Sequence, residues 1–314
     1  MRTHTSLEQR HKKKRVLNKR LNAELSLLTI PGVLLLIVFC YIPMFGIVIA
    51  FKDYNMSKGI LGSAWNGFNN FKFFFASMDA VRIIRNTIGY GILFITISMV
   101  CQVILALILF EVTNKKALKA YQTIMILPNF LSWVIVGYIS YVFLSPESGV
   151  LNELVTFFGG EKIKWYSNPK YWPYILTVVN TWKGVGIGSI YYYASLMGID
   201  ASIFEAAEID GANKLQKIKY ISLPSLIPII VIMLIMSIGG VIRGDFGLFY
   251  QIPRDVGLLY PATDIIETYV FRGLRGGSMA LSTAVGLFQS VVGLILVTLT
   301  NFIVKKINPE NSLF

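Results

Sequence analysis

Six long stretches of this chain hold almost no ionisable residue, and no other property of it limits the possible folds so strongly. They are Leu25–Phe51, Asn86–Phe110, Ala120–Pro146, Tyr171–Ile199, Tyr220–Ile242 and Gly276–Val304, and Lys183 is the one Asp, Glu, Lys or Arg inside them. A helix needs about 20 apolar residues to cross the hydrocarbon core of a bilayer, so each stretch is long enough to span. Backbone polar groups in lipid must be paired within the structure, which leaves helices for segments of this length. The expectation is an all-α integral membrane protein with six transmembrane helices between residues 25 and 304 and no separate soluble domain. Composition agrees, since 54% of the 314 residues are hydrophobic, above the usual share in soluble domains. Cys40 and Cys101 both lie inside apolar stretches, where they read as packing residues and support neither a disulfide framework nor a Cys-based metal site.

Charge sets the orientation. Residues 1–24 carry Arg2, Arg10, Lys12, Lys13, Lys14, Arg15, Lys19 and Arg20 against Glu8 and Glu24. Further basic residues follow at Lys115, Lys116, Lys119, Lys214, Lys217, Lys219, Lys305 and Lys306, so that 16 of the 29 Lys and Arg fall on one face. The bias of Lys and Arg toward the cytoplasm then predicts a cytoplasmic basic tail over 1–24, six crossings, and a cytoplasmic C-terminal tail over 305–314. The first apolar run is too long for the core of a cleavable signal peptide. A pI near 9.6 also fits nucleic-acid binders, but the positive charge flanks apolar stretches, which favours the membrane reading. His4 and His11 both fall in the tail, so a His-based catalytic centre is not expected.

Between the fourth and fifth stretches, residues 200–222 form a polar island. Ser202 and Glu205 have the spacing of a capping box at a helix start. Gly211 suits the left-handed residue that ends such a helix, a second helix is expected from about Asn213 to Tyr220, and Pro224 fits the first turn of the next membrane helix. Ala206 and Ala207 would let another protein approach closely, with Ile203, Phe204 and Ala207 as an apolar edge beside Glu205 and Glu208.

The residues Glu205, Ala206, Ala207, Gly211, Ile221, Leu223 and Pro224 resemble, at all seven positions and at the family's spacing, the EAA loop of binding-protein-dependent ABC importer permeases. The resemblance implies a type I ABC importer permease fold, in which this loop is the helix that docks on a cytoplasmic ATPase and couples its closure to the membrane domain. It also implies the partners: a second homologous permease, an ABC ATPase dimer and an external solute-binding protein, at a bacterial cell membrane. ATP and Mg would be used by the ATPase, and no cofactor is expected on this chain, which lacks a G-x-x-x-x-G-K-[ST] phosphate cradle.

Other segments speak to cargo. Gly67–Phe74 with Arg85-Asn86-Thr87 resembles carbohydrate-type permeases, and Arg243–Gln251 with Tyr260–Asp264 resembles their polysaccharide-type subfamily. This implies an oligosaccharide or polysaccharide fragment as substrate. On the residues themselves, Lys183 stands out because a Lys at a helix centre costs about 2.5–3.5 kcal/mol on insertion scales and such residues mark functional paths or structural pairs. Its glycine neighbours Gly184, Gly186 and Gly188 read as a helix-packing surface. Tyr191 and Tyr192 offer flat faces and hydroxyls suited to a sugar ring. Arg243, Asp245, Phe249, Tyr250 and Gln251 complete the candidate substrate path, with an Arg243–Asp245 pair closing its own loop as the alternative. Competing functions are an ABC permease for a non-sugar solute, an ion-coupled secondary transporter, and a membrane enzyme acting on lipid-linked sugars. The last two expect intramembrane or clustered acids, which the six stretches lack.

Overall fold

The computed structural model describes residues 25–307; both proposed tails, 1–24 and all of 305–314 beyond Ile307, lie outside them, as do His4 and His11. The described chain is almost wholly helical. Helix α1 covers Leu25–Phe51, with a π turn at Ile37–Tyr41 and a tight 3-10 stretch at Phe45–Phe51. A two-stranded antiparallel ribbon follows, pairing Lys52 with Trp65 and Asp53 with Ala64. Then come α2 (Asn69–Ala76), α3 (Met78–Phe110) and α4 (Lys115–Phe130). Next are α5 (Trp133–Leu144), α6 (Val150–Phe157), α7 (Trp172–Leu196), α8 (Ala201–Ile209) and α9 (Lys214–Ile238). The chain closes with α10 (Phe246–Gln251), α11 (Ile266–Arg275) and α12 (Met279–Ile307).

Four helices, α1, α3, α9 and α12, are each long and apolar enough to cross a membrane. Only 6% of the most apolar window of α1, and 6% of that of α12, is buried inside the protein. Leu27, Leu28, Phe39 and Phe45 are among the exposed side chains of α1. Keeping such groups in water would cost about 1.5–3 kcal/mol each, so lipid is their solvent.

Three boundaries differ from the sequence expectation. The stretch 120–146 is not one helix: α4 and α5 meet at a bend of 97°. Pro128 sits in a 3-10 turn, Leu131 and Ser132 are extended, and the Ser132 hydroxyl accepts the Ile135 N–H to start α5 afresh. Proline deprives the ladder of one donor, and two extended residues then turn a kink into a corner. The second span begins eight residues early, at Met78, where the Ser77 side chain caps Ala80 N–H. The fifth begins at Lys214 rather than Tyr220, because no break separates the polar turns from the apolar ones. Helix α7, with Asn180, Thr181, Lys183 and four glycines or serines in its middle, is long enough to span but less apolar than the four.

Inside the bundle three apolar clusters alternate with polar locks. Tyr90, Trp172, Leu248 and Phe249 centre one cluster, Phe74, Ile83, Ile242 and Val285 a second, and Val103, Tyr192, Leu196 and Leu226 a third. Gly186 and Gly188 bear out the packing role: a Cβ on Gly186 would collide with the Met125 carbonyl of α4, and one on Gly188 with the Gln102 side chain of α3. Gly184 meets no neighbour. Near the ends of α3 and α11, the carboxylate of Asp264 is fully buried and takes Arg82 at 3.1 Å and Arg272 at 2.5 Å. Thr268 donates to it at 2.9 Å, and Asn86 donates to its carbonyl at 3.0 Å.

Candidate functional site

At one end of the bundle stands α8. The Asp200 side chain, not Ser202, caps it by accepting the Ser202 N–H at 3.0 Å. Ser202, through its backbone N–H first and then its side chain, holds the Asp200 carboxyl below the usual aspartate range. Glu205 is left free of capping and points out exposed, so the Ser202–Glu205 box is corrected to an Asp200 cap two residues earlier. Gly211 has φ +78°, and Ala212 N–H reaches back to the Ala207 carbonyl at 2.9 Å, the bond pattern that terminates a helix on a left-handed glycine. Two residues on, Asn213 and Gln216 form a reciprocal capping box at 2.9 and 2.7 Å and start α9. Pro224 therefore lies in the third turn of a continuous helix. The π turn Ile218–Ser222 precedes it, widening the ladder where its missing N–H falls. Ile221, Leu223 and Pro224 belong to α9, while Glu205, Ala206, Ala207 and Gly211 belong to α8 and its turn.

The apolar edge of α8 also divides in two. Phe204 turns inward and packs on Phe110 with ring centroids 5.6 Å apart. Ile203 and Ile209 face outward, and Ile209 is 88% exposed. Ile209 was not legible as a contact residue, although its place one turn past Glu205 and Ala206 puts it on the same outer face. The helix is latched to α9 by Lys217, whose Nζ lies 2.6 Å from Glu208 Oε1. That hydrogen bond, and then the charge itself, holds the Glu208 carboxyl below its ordinary value. The latch is fully formed above the unfolded glutamate pKa of about 4.3 and is lost as pH falls through the lowered folded value. Amide exchange across residues 210–216, corrected for intrinsic rate, is expected to accelerate below about pH 4 in the native chain; with Glu208→Gln the same fast exchange should already be present at pH 7.

The second candidate region is the corner between α4 and α5. Proline and the extended turn free the Asn129 carbonyl, and Lys183 of α7 donates to it at 2.9 Å. The same ammonium sits 4.9 Å from the Trp133 ring centre. Trp133 in turn donates through Nε1 to Asp245 Oδ2 at 2.8 Å, while Asp245 Oδ1 caps α10 by accepting Leu248 N–H. Lys183 and Asp245, called from sequence, thus meet through Trp133, which was not. Among the described residues no Arg243–Asp245 ion pair is formed: Arg243 is exposed, and its neighbour Gly244 donates to Glu267 at 2.6 Å.

From this corner an aromatic and polar seam runs along α5 against α10. Trp133, Gly137 and Tyr141 recur every fourth residue, so they share one helix face. They meet, in order, Asp245, Gln251 and Arg254. Tyr250 stacks on Phe246 at 4.9 Å and accepts from Arg275 at 3.4 Å. Tyr192 and Phe249 do not join the seam. Tyr192 is buried beside Leu196 and Leu226, and Phe249 packs edge-on against Tyr90 at 4.8 Å. Tyr191 is exposed and lies two helical turns from Lys183, about 12 Å along α7. Beyond Gln251, Arg254 and Asp255 adopt φ of +59° and +51°, a left-handed backbone that costs Arg254 roughly 1–2 kcal/mol and Asp255, with its short polar side chain, less. Burial pushes the nearby Tyr166 hydroxyl up to about 12, with the Arg254 charge pulling the other way.

Residues 91–309 match the family described as binding-protein-dependent transport system inner membrane component. The polygalacturonan/rhamnogalacturonan transport system permease protein YteP of Bacillus subtilis (strain 168) is 39% identical over 310 residues, covering 96% of this chain and 94% of that protein. Protein LplB of the same organism is 38% identical, covering 91% and 90%. Among solved structures, a bacterial ABC transporter involved in the import of the acidic polysaccharide alginate superposes with a TM-score of 0.84 at 31% identity, covering 94% of this chain and 99% of that one. The same kind of transporter in complex with an alginate pentasaccharide-bound periplasmic protein gives 0.83 at 32%.

Proposed function

Because this chain belongs to the family of binding-protein-dependent transport system inner membrane components, a family of multi-pass membrane permeases, we propose that it forms half of an ATP-driven import pathway for an oligosaccharide. The cargo follows from the relatives, which include permeases for polygalacturonan and rhamnogalacturonan and an alginate importer. The mechanism rests on one observation: α8 is a capped helix with Ile209 88% exposed, tied to membrane helix α9 by a left-handed glycine, a capping box and the Glu208–Lys217 latch. Such an element presents apolar surface to a partner and passes the partner's movement into the bilayer. The partner is an ABC ATPase dimer, which binds ATP and Mg. A second, homologous permease completes the pathway and an external binding protein delivers the sugar. Both termini and α8 lie on the cytoplasmic side, as the distribution of Lys and Arg favours.

The corner at Asn129–Trp133 supplies a polar place inside the membrane domain, where Lys183 and Asp245 line the route. Lys183→Met removes one charged donor from Asn129, an interaction of about 1.5–3 kcal/mol. Uptake is expected to fall about tenfold or more with the complex still assembled; unchanged uptake would remove Lys183 from the route. The proposal as a whole is tested by purifying the tagged chain in mild detergent, identifying what accompanies it by mass spectrometry, and assaying ATP hydrolysis. Recovery of a second permease and an ATPase, stimulated by binding protein with an oligosaccharide, is the expected result. Recovery of the chain alone, without ATPase activity, would overturn it.

A further inference from the structure

Resting on the reading of this chain as an oligosaccharide permease, we propose that the cavity between α5 and α10 is a subsite for a carboxylate-bearing sugar residue, a uronate, and that Arg254 selects it over a neutral one. The cavity has a volume of about 220 Å³ and is lined by Val134, Gly137, Tyr138, Tyr250, Gln251 and Arg254. It is small for a ligand pocket, fitting one unit of a chain rather than the whole.

Arg254 has no acidic partner among the described residues. Its sequence neighbour Asp255 is committed elsewhere, accepting from the Tyr260 hydroxyl at 3.0 Å and from Arg272 at 3.5 Å. Asp245, at the other end of the seam, has one carboxylate oxygen on Trp133 and the other on Leu248 N–H. Among the described residues, no carboxylate lies within ion-pair distance of the Arg254 guanidinium. It rests instead on the Tyr141 ring, 4.2 Å from the ring centre, beside Tyr166, whose ring lies 5.8 Å from that of Tyr141. That aromatic floor fixes the plane of the guanidinium and leaves its edge free for the bidentate recognition of a carboxylate that suits arginine.

The backbone points the same way. Left-handed φ at Arg254 is uncommon for a residue of its type, whereas Asp255 after it belongs to the types that adopt it more readily. This backbone sends Arg254 to Tyr141 and Asp255 to Tyr260 and Arg272, separating two opposite charges that would otherwise neutralise one another. Strain retained at such a place is a mark of function. Gln251 adds an amide for ring hydroxyls. Tyr138 and Tyr250 add flat faces. A neutral sugar would use these last three groups and leave the guanidinium unpaired.

The test uses the complete transporter in proteoliposomes with its binding protein and internal ATP. Uptake efficiency is measured for a galacturonate oligosaccharide and for its fully methyl-esterified form, which keeps the sugar rings and their linkages but removes the charge. Arg254→Gln is expected to lower the ratio of acid to ester uptake at least tenfold, and Arg254→Lys, which keeps the charge but not the fork, by less. A ratio unchanged in R254Q, whatever the absolute rates, would overturn the subsite, as would an equal loss of both sugars. If the native complex carries neither sugar but does carry a neutral oligosaccharide, the subsite fails and the oligosaccharide reading stands; if it hydrolyses ATP yet carries no oligosaccharide of either kind, that reading fails and the subsite with it.

Discussion

Ile209→Asp is expected to reduce uptake by a factor of about 100 while the protein still inserts and folds. At 88% exposure the Ile209 side chain makes few contacts within the chain, and substitutions at such positions usually change stability by less than about 0.5 kcal/mol. Docked on an ATPase, the same side chain would be desolvated at the centre of a small interface. Losing an apolar anchor there costs about 2 kcal/mol or more, and a carboxylate in its place adds the penalty of a buried unpaired charge. About 2.7 kcal/mol is a hundredfold. Uptake and co-purification of the ATPase should fall together, while unfolding temperature in detergent stays put. Gly211→Pro should do the same by another route, since proline cannot adopt the φ of +78° found there. Normal uptake with Ile209→Asp would show that α8 is not the docking element.

The second large effect is on stability. Asp264→Ala is expected to destabilise the membrane domain by about 3–5 kcal/mol, the usual cost of removing one partner from a buried ion pair. The Asp264 side chain is fully buried between Arg82 and Arg272, and its loss leaves two guanidinium groups facing each other across a cavity. Arg82 keeps Asp79 at 2.7 Å and Arg272 keeps Asp255 at 3.5 Å, both partly solvated pairs that offset little. Asp264→Asn should cost less because the hydrogen bonds to the arginines persist in part. Thermal unfolding of the detergent-solubilised protein reads both, and a loss under about 1 kcal/mol for the alanine variant would mean that the triad is a surface network.

Much of this arrangement was written in one dimension. Runs without charge identify helices that lipid must surround, and the residues from Glu205 to Pro224 mark out α8, its turn and the start of α9 because each is a local requirement: a small side chain, a left-handed turn, a helix start. What could not be read depended on competition between local options. Ser202 and Glu205 have the spacing of a cap, yet Asp200 reaches the Ser202 N–H first. Asn213 and Gln216 have the same spacing and form the box. Pro128 announces a kink in the third span, but the 97° corner hides within an uncharged run because an extended Leu131–Ser132 needs no polar residue once Lys183, 54 positions away, takes the freed Asn129 carbonyl. Arg254 is invisible for a plainer reason. Its left-handed backbone has no glycine or asparagine to announce it, and its importance lies in a carboxylate that faces away.

The absence of a break between the polar turns and the apolar turns of α9 has a mechanical meaning. A helix of 25 residues is a rod about 37 Å long, gripped at one end by the Glu208–Lys217 latch and ending, at the other, seven residues before Asp245. Tilting it by roughly 10° about its latched end sweeps the far end through about 6 Å, slightly more than one helical pitch. Where the link of residues 239–244 moves with the rod, the 2.8 Å Trp133–Asp245 hydrogen bond survives such an arc only if α5 travels too. The rod therefore has a choice at the end of its stroke: drag the corner of the third span with it, or let go of Trp133 and open the seam.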